Sequence, residues 1–164
     1  MKRRASTSGK ANPSRKPDRF VTRVIEETEF LAIDLEIVSR RRIDLLAPAF
    51  GEHVGVNRNE KVGKKTVLLL STGRYVRYDD DIDKMVNALI LSQVKLVQAL
   101  PKEARQQWDN ATTRTFDIGI QAGKRPSAFE IRLASQTMSA VSAVGGSVQI
   151  TIYGIVQKEF LQSD

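Results

Sequence analysis

Two stretches of the chain alternate between apolar and polar positions with a period of two, which is the pattern of a half-buried β-strand. The first runs from Leu31 to Ser39 and the second from Phe116 to Gln121. Successive side chains of a strand point to opposite faces of a sheet. Each stretch therefore predicts a strand with one buried apolar face and one more polar face.

Further apolar stretches predict additional strands. Two of them lie on either side of Thr72-Gly73, a pair typical of a tight turn, so a hairpin is predicted over Val67 to Tyr78. The preceding segment, His53 to Lys64, is polar and contains glycine, which predicts a loop or an irregular strand. Later in the chain, Val148 to Ile152 alternates again and predicts a last strand that continues to Val156.

The longest helix is predicted over residues 82–100, where apolar side chains recur at i, i+3 and i+4. It follows an acidic run, Asp79 to Asp83. Carboxylates at a helix N-terminus satisfy free N–H groups and the helix dipole, so Asp80 is predicted as the N-cap residue and Asp83 as part of the first turn. The run lacks the glycine and the glutamate of an EF-hand loop, so no metal site is predicted there.

Three shorter helices are predicted from apolar spacing and from residues that start or end helices. One covers residues 43–50 and ends at Gly51. A second begins at Pro101 and includes Trp108 near its end. A third, rich in small residues, covers 135–144 and ends at Gly145-Gly146.

The two alternating strands begin similar series of elements. Each is followed by a basic turn, a helix, a glycine and another strand, which predicts two related strand–helix–strand halves. Such units predict an α+β fold, namely an open mixed sheet with helices on one face, as in ferredoxin-like or similar sandwiches. We expect residues 20–164 to form a single α+β domain.

The two basic turns are candidate anion-binding residues. Arg40, Arg41 and Arg42 follow the first alternating strand, and Lys124 and Arg125 follow the second. If the two strands are parallel neighbours, these five side chains come out along one edge of the sheet and form an anion-binding patch. The alternative is that they are solvated tips of loops.

Positive charge is concentrated before the first predicted strand. Residues 1–19 contain seven Lys or Arg and one acid, whereas residues 20–164 contain 19 basic and 18 acidic residues. The segment has no bulky apolar residue after Met1, so we expect a disordered basic tail. The tail predicts binding to the phosphates of nucleic acid, binding to an acidic membrane surface, or only a solubilising role.

The composition excludes several kinds of site. The chain has no cysteine, which rules out disulfides, thiol catalysis and cysteine-ligated metals. Its one histidine, His53, has no accompanying nucleophile motif, so no catalytic residue, metal ligand or cofactor is predicted. The sequence contains no apolar run long enough for a membrane span or a signal peptide, so we expect a cytoplasmic protein.

Two carboxylates occupy matching polar positions in the alternating strands. They are Asp34 and Asp117. If the two strands pair, these side chains lie close to each other. Paired carboxylates support acid–base chemistry when like charge raises the pKa of one of them. The alternative is that each pairs with an arginine or faces water.

Aromatic residues and sheet edges are the candidate contact surfaces for another protein. The aromatic candidates are Trp108 and the tyrosines of the predicted hairpin, Tyr75 and Tyr78. An alternative for Trp108 is a structural role as a cap over the core. An edge strand over 67–78 or 148–156 would also allow two chains to pair as a homodimer.

Several segments resemble a family of bacterial domains of unknown function. They are the strand that begins Leu31-Ala32-Ile33-Asp34-Leu35, the following Ile43-Asp44-Leu45-Leu46, the long helix after the acidic run, and the segment from Gly145 to Gly154. The resemblance spans about residues 30–154. It implies a small α+β fold that binds a partner, in toxin-immunity or defence loci.

The sequence therefore predicts a non-enzymatic protein-binding module, with an immunity or defence role as one form of it. Two alternatives stay open. One is a nucleic-acid-binding protein that uses residues 1–19 and the basic turns. The other is an enzyme that acts on a small anionic ligand at the basic edge of the sheet.

Overall fold

The computed structural model of the chain describes residues 20–72 and 81–160. The strands in these ranges are β1 (Phe20–Val24), β2 (Glu29–Ser39), β3 (Gly55–Val62), β4 (Lys65–Thr72), β5 (Thr113–Gln121), β6 (Ser147–Tyr153) and β7 (Val156–Phe160). The helices are α1 (Leu46–Phe50), α2 (Ile82–Gln98), α3 (Lys102–Asp109) and α4 (Ser135–Ala143), and a 3₁₀ turn (Gly51–His53) follows α1.

Five strands form one sheet in the order β3-β4-β2-β5-β6. Strand β2 is antiparallel to both β4 and β5, β3 is antiparallel to β4, and β5 and β6 are parallel. Strands β1 and β7 form a separate antiparallel ladder. The predicted fold class, an α+β fold with an open mixed sheet and helices on one face, is confirmed.

The apolar positions of the two alternating strands face the helices. Ile33, Ile37 and Phe116 are each 0% exposed, and the residues that alternate with them are half-buried. Full burial of a side chain of this size contributes about 1.5–3 kcal/mol to stability. Helix α2 is also joined to the sheet through Gln93, whose Nε2 donates to the carbonyl oxygen of Ile33 at 2.9 Å. The period of two in the sequence thus reflects a core on one side of the sheet.

The hairpin predicted over Val67 to Tyr78 is wrong. Strands β3 and β2 occupy both edges of β4, and the turn that precedes β4 contains Gly63 at φ +60°. Residues 73–80, which include Tyr75 and Tyr78, lie outside the described residues. Strand β3 was predicted as a loop or irregular strand because all eight of its residues are exposed, so no apolar alternation marks it.

The start of the long helix differs by one residue from the prediction. Asp81 is the N-cap residue, and its Oδ1 accepts the N–H of Lys84 at 3.0 Å, whereas the predicted N-cap, Asp80, lies outside the described residues. Asp83 lies in the first turn as predicted. Its Oδ1 also accepts the N–H of Arg132 at 2.8 Å, so the acidic run holds the segment that leads into α4.

Two of the short helices, α1 and α4, end at the glycines that the sequence predicts. Helix α1 begins at Leu46 rather than at Ile43, and it ends at Gly51, whose φ of +64° is a left-handed conformation that favours glycine. Helix α4 is followed by Gly145 at φ +70°. Both glycines end their helices in the way the sequence predicted.

The two strand–helix–strand halves differ in how their strands pair. Strands β5 and β6, joined through α4, are parallel neighbours. Strands β2 and β3, joined through α1, run in the same direction but have β4 between them. In the first half, another strand therefore separates the two strands of the unit, whereas in the second half the two strands are direct neighbours.

The last predicted strand is two strands. Strand β6 ends at Tyr153, so the predicted continuation to Val156 is wrong. The carbonyl oxygen of Ile155 accepts the N–H of Ile25 at 2.9 Å. From this point the chain pairs with β1 and no longer with β5. Within the described ranges, none of the helices has the length and apolar character to cross a membrane.

Candidate binding face of the sheet

One side of the five-stranded sheet is not covered by any helix among the described residues. Side chains on this side of the central strands are half-buried, whereas those that alternate with them lie in the core. We call this side the open face. In β2, β4, β5 and β6 it includes Ala32, Asp34, Glu36, Val38, Lys65, Val67, Leu69, Ser71, Thr113, Thr115, Asp117, Gly119, Ser147, Gln149, Thr151 and Tyr153.

A pair of carboxylates lies at the centre of the open face. Asp34 and Asp117 are direct cross-strand partners in the β2–β5 register, so the prediction that they are neighbours is confirmed. The Ser71 hydroxyl donates to Oδ1 of Asp34. On the other side, the Thr151 hydroxyl lies 2.8 and 2.9 Å from the two carboxylate oxygens of Asp117. Each carboxylate is thus held by a hydroxyl on the strand next to it.

Two side-chain amides extend this arrangement to both edges of the sheet. Asn57 Nδ2 donates to the Ser71 hydroxyl at 2.5 Å, and Gln149 Nε2 donates to the Thr151 hydroxyl at 3.1 Å. The six side chains form a line across all five strands, with donors pointing inward from both ends. We call this line the carboxylate row; its members are Asn57, Ser71, Asp34, Asp117, Thr151 and Gln149.

Burial raises the pKa of Asp34 above its ordinary value of 3.8. The hydrogen bond from Ser71 opposes this effect, and the negative charge of Asp117 adds to it. The charged form of Asp34 is therefore less stable than that of a solvated carboxylate. Asp34 therefore takes up a proton more readily than an isolated surface aspartate does.

An apolar patch, which we call the shelf, lies beside the carboxylate row. Gly119 pairs with Ala32, and the position that its Cβ would occupy is 3.6 Å from Leu31 Cβ and 3.8 Å from Tyr153 Cε2. Leu31 is 49% exposed and Tyr153 is 50% exposed. The missing side chain at Gly119 leaves a depression whose walls are an aliphatic and an aromatic side chain.

The shelf continues into a cleft of about 540 Å³ at the start of β2. Its lining residues are Val24, Ile25, Glu26, Glu27, Glu29, Leu31 and Gln121. Leu31 belongs to both the cleft and the shelf, so the two are continuous. Three of the seven lining residues are glutamates; Glu26 and Glu27 form ion pairs with Lys124 and Arg125, and Glu29 adds a further carboxylate at the start of β2.

The predicted anion-binding edge does not form, because β2 and β5 are antiparallel. Arg40, Arg41 and Arg42 follow β2 at the end where β5 begins, and Lys124 and Arg125 follow β5 at the opposite end. At one end, Arg42 pairs with Asp44 at 2.8 Å, and Arg41 Nη1 donates to Asn110 at 3.1 Å. At the other end, Lys124 pairs with Glu26 and Arg125 with Glu27, both at 2.9 Å.

Trp108 is buried and is not an exposed contact for a partner. It is 0% exposed, and its Nε1 donates to the carbonyl oxygen of Val144 at 2.8 Å. It lies one helical turn after Ala104, which is also buried, so both side chains of α3 point into the core. The structure thus replaces the partner-contact interpretation of Trp108 with a structural one. The other two aromatic candidates, Tyr75 and Tyr78, lie outside the described residues.

Sequence reasoning identified the two aspartates but missed the residues that hold them. Ser71, Thr151, Asn57 and Gln149 are ordinary polar residues of strands, and none belongs to a motif. Only the register of the sheet places them in line with the aspartates. Across residues 20–72 and 81–160, no group of three or more His, Cys, Asp or Glu side chains is arranged to hold a metal ion.

No family model matches the chain, and no curated protein or solved structure matches it either. The resemblance to a family of bacterial domains therefore stays a prediction.

Replacing Asp34 with asparagine should stabilise the protein near neutral pH. Because the folded state raises the pKa of this carboxyl, the wild-type free energy of unfolding falls as the pH rises from 3.8 through the raised value. The asparagine side chain does not ionise, so it does not contribute this pH dependence to the free energy of unfolding. Burial of the charged carboxylate and the like charge of Asp117 opposite it cause the rise in pKa, and asparagine removes both. Asp34→Asn should therefore be more stable than wild type at pH 7, with about 0.2–1 kcal/mol of the gain from the like-charge pair, and should gain little at about pH 3, where both the folded and the unfolded states are mostly protonated.

Urea unfolding of both proteins between pH 3 and 7 measures this difference. Glu130→Gln changes an exposed carboxylate whose partner is Arg132. It should show no comparable gain at pH 7, because exposed pairs contribute little. An Asp34→Asn variant that is less stable than wild type at pH 7, or a gain that does not change with pH, would contradict the expected cost of the pair.

Proposed function

We propose that this protein is a non-enzymatic module that binds a basic segment of another protein on the open face of its sheet. The carboxylate row is the observation that supports this proposal. Two aspartates lie side by side at the centre of an uncovered face, and the hydroxyls of Ser71 and Thr151 hold them in place. An arrangement that is already ordered before binding loses less entropy when the partner arrives.

Charge favours a basic partner. On the central strands β2 and β5, the open face has the carboxylates of Asp34, Glu36 and Asp117 and no Lys or Arg. Its basic residues lie farther out: Lys65 is the first residue of β4, and Arg58 on the edge strand β3 pairs with Glu60 at 3.2 Å. An arginine or lysine side chain placed at the row would offset the like charges of Asp34 and Asp117, which is one of the causes that raise the Asp34 pKa. The binding energy would thus include relief of an unfavourable interaction within the protein.

The surroundings of the row suit a long cationic side chain. Arginine forms two parallel hydrogen bonds to a carboxylate, and its aliphatic part packs on apolar surface. The exposed Leu31 and Tyr153 side chains provide that surface, and the tyrosine ring also attracts a cation. The Glu29 carboxylate in the lining of the cleft then offers a place for a second basic residue of an extended segment.

The position of the pair favours binding over catalysis. Catalytic sites for small molecules are concave and bury most of the ligand, whereas Asp34 and Asp117 lie on the central strands of a sheet face that no described helix covers. The cleft of about 540 Å³ lies at Glu26 to Leu31 instead. An immunity or defence protein that blocks a basic surface of its target would be one instance of the proposed function.

A selection from a random 12-residue peptide library on the purified full-length chain tests the proposal. We expect enriched peptides with Lys or Arg next to apolar residues. Charge-assisted hydrogen bonds contribute about 1.5–3 kcal/mol each, so Asp117→Asn should weaken a selected peptide by about tenfold or more. Fluorescence polarisation with the labelled peptide measures the dissociation constant.

The control variant is Glu103→Gln, which makes the same change in charge on α3, on the helix-covered side of the sheet. It should bind the peptide within about twofold of wild type, because removing one exposed charge alters only screened long-range interactions. Selected peptides without basic residues, or equal losses in the Asp117 and Glu103 variants, would overturn the proposal. The proposal would also be overturned if the selected peptides bound the Asp117→Asn variant as tightly as they bind the wild-type protein.

A further inference from the structure

The two edges of the sheet differ in how they are protected from pairing with another strand. Strand β3, at one edge, contains Arg58, Glu60 and Lys61 and has a bulge between Val56 and Arg58. Charged side chains and bulges are the usual devices that prevent edge-to-edge pairing. Strand β6, at the other edge, has no charged residue and no proline, and it pairs with β5 in unbroken register. One edge is therefore protected, and the other is not.

Strand β6 also exposes apolar side chains on its helix side. Ile150 and Ile152 pair with Ile118 and Ile120, which are 0% and 7% exposed, yet they are themselves 54% and 67% exposed. The helix layer thus covers β5 and reaches Val148 of β6, but it leaves Ile150 and Ile152 exposed. A regular, uncharged edge strand with exposed β-branched side chains is a typical site for the addition of another strand.

We propose that a second copy of this chain pairs with β6 in antiparallel orientation, about a two-fold axis at Ile150. Strand β6 spans seven residues, Ser147–Tyr153, and Ile150 is the central one. An axis there pairs all seven residues, whereas any shift leaves some without a partner. A shift of one residue would also put an apolar side chain opposite a polar one, because alternate residues point to opposite faces.

The side chains match in this register. On the helix side, Ile150 meets Ile150 of the second copy and Val148 meets Ile152, so the exposed apolar residues cover each other. On the open face, Gln149 meets Thr151, so polar side chains meet polar ones. The pattern is self-complementary, as an isologous dimer interface requires.

The small net charge of residues 20–164 allows two copies to approach. Residues 20–164 contain 19 basic and 18 acidic residues, so their net charge is small. The dimer would contain one continuous ten-stranded sheet. The open faces of the two copies would lie side by side, with Thr151 of one copy next to Gln149 of the other.

Sedimentation equilibrium of the full-length chain at about 1–100 μM tests the proposal. We expect a species of twice the 18.3 kDa chain mass. Ile150→Lys places two like charges at the axis, which costs several kcal/mol, so the dimer should weaken more than a hundredfold. The control is Val56→Lys, which adds the same charge on the other edge strand at a residue that is 51% exposed; it should leave the dimer intact.

A mixing experiment tests the register. Ile150→Lys and Ile150→Glu should each be monomeric alone, and an equimolar mixture should form a heterodimer, because only this axis brings the two side chains together. Circular dichroism verifies that each variant is folded. A wild-type chain that is monomeric at 100 μM, an Ile150→Lys variant that stays dimeric, or a mixture that does not associate would each overturn the proposal.

Discussion

Replacing Trp108 with alanine should lower the free energy of unfolding by about 3–5 kcal/mol, as for other large aromatic residues of protein cores. The indole is 0% exposed and packs edge-to-face on Phe50, with ring centroids 6.5 Å apart. Its Nε1–H donates to the Val144 carbonyl, at the end of α4. One side chain thus joins α3 to α1 and to the turn that leads into β6, so its loss would leave a cavity between three elements.

Urea unfolding followed by far-ultraviolet circular dichroism measures this effect, because the variant lacks the only tryptophan of the chain. Trp108→Phe is the companion variant. It keeps most of the apolar contact but leaves the Val144 carbonyl without its donor, which should cost about 1–3 kcal/mol. A loss below about 1 kcal/mol in Trp108→Ala would contradict the structural role. An unchanged stability together with weaker partner binding would restore the contact role that the sequence suggested.

Replacing Gly146 with alanine should destabilise the protein by about 1–3 kcal/mol, the usual cost of an added methyl group in a packed core. A Cβ at this position would lie 2.6 Å from Cε2 of Phe116 and 3.1 Å from Cγ1 of Val141. Both neighbours are buried, at 0% and 2% exposure. The phenyl ring therefore cannot move away without disturbing the β5 side of the core.

Chemical denaturation of Gly146→Ala beside Gly154→Ala measures the steric effect, because a Cβ at Gly154 would have no heavy atom within 4 Å. The Gly154 variant should stay within about 0.5 kcal/mol of wild type. Adding Phe116→Leu should make the Gly146 substitution less costly, since the smaller side chain relieves the contact. Equal effects of the two glycine substitutions would show that close contact with Phe116 is not the reason for the glycine at 146.

The predictions from sequence were correct where one face of an element is buried and the other is not. Strand β2 was predicted to end at Ser39, and it does. The second alternating stretch, Phe116 to Gln121, forms most of β5. Helix α2 was located for the same reason, since its apolar stripe repeats at the helical period. Burial on one side produces a periodic pattern in the sequence, which can be recognised without knowing which element packs against that side.

The predictions failed where burial produces no periodic pattern in the sequence. Strand β3 is exposed throughout, so its pairing with β4 depends on backbone hydrogen bonds that are the same for every residue type. The two basic turns illustrate a different failure. Their residues were identified correctly, but the direction of β5 relative to β2 determines whether they lie at one edge, and the alternation pattern is the same for parallel and antiparallel strands.

The sequence by itself determined the α+β class, the two central strands with their buried faces, the long helix, and Asp34 and Asp117 as matching polar positions. It did so because local periodicity reports which side of an element meets the core. Only the tertiary structure decided that β2 and β5 are antiparallel, that the two carboxylates meet with Ser71 and Thr151 beside them, and that the basic turns lie at opposite ends of the sheet. Strand order and register depend on contacts between residues far apart in the chain, and local periodicity contains no information about them.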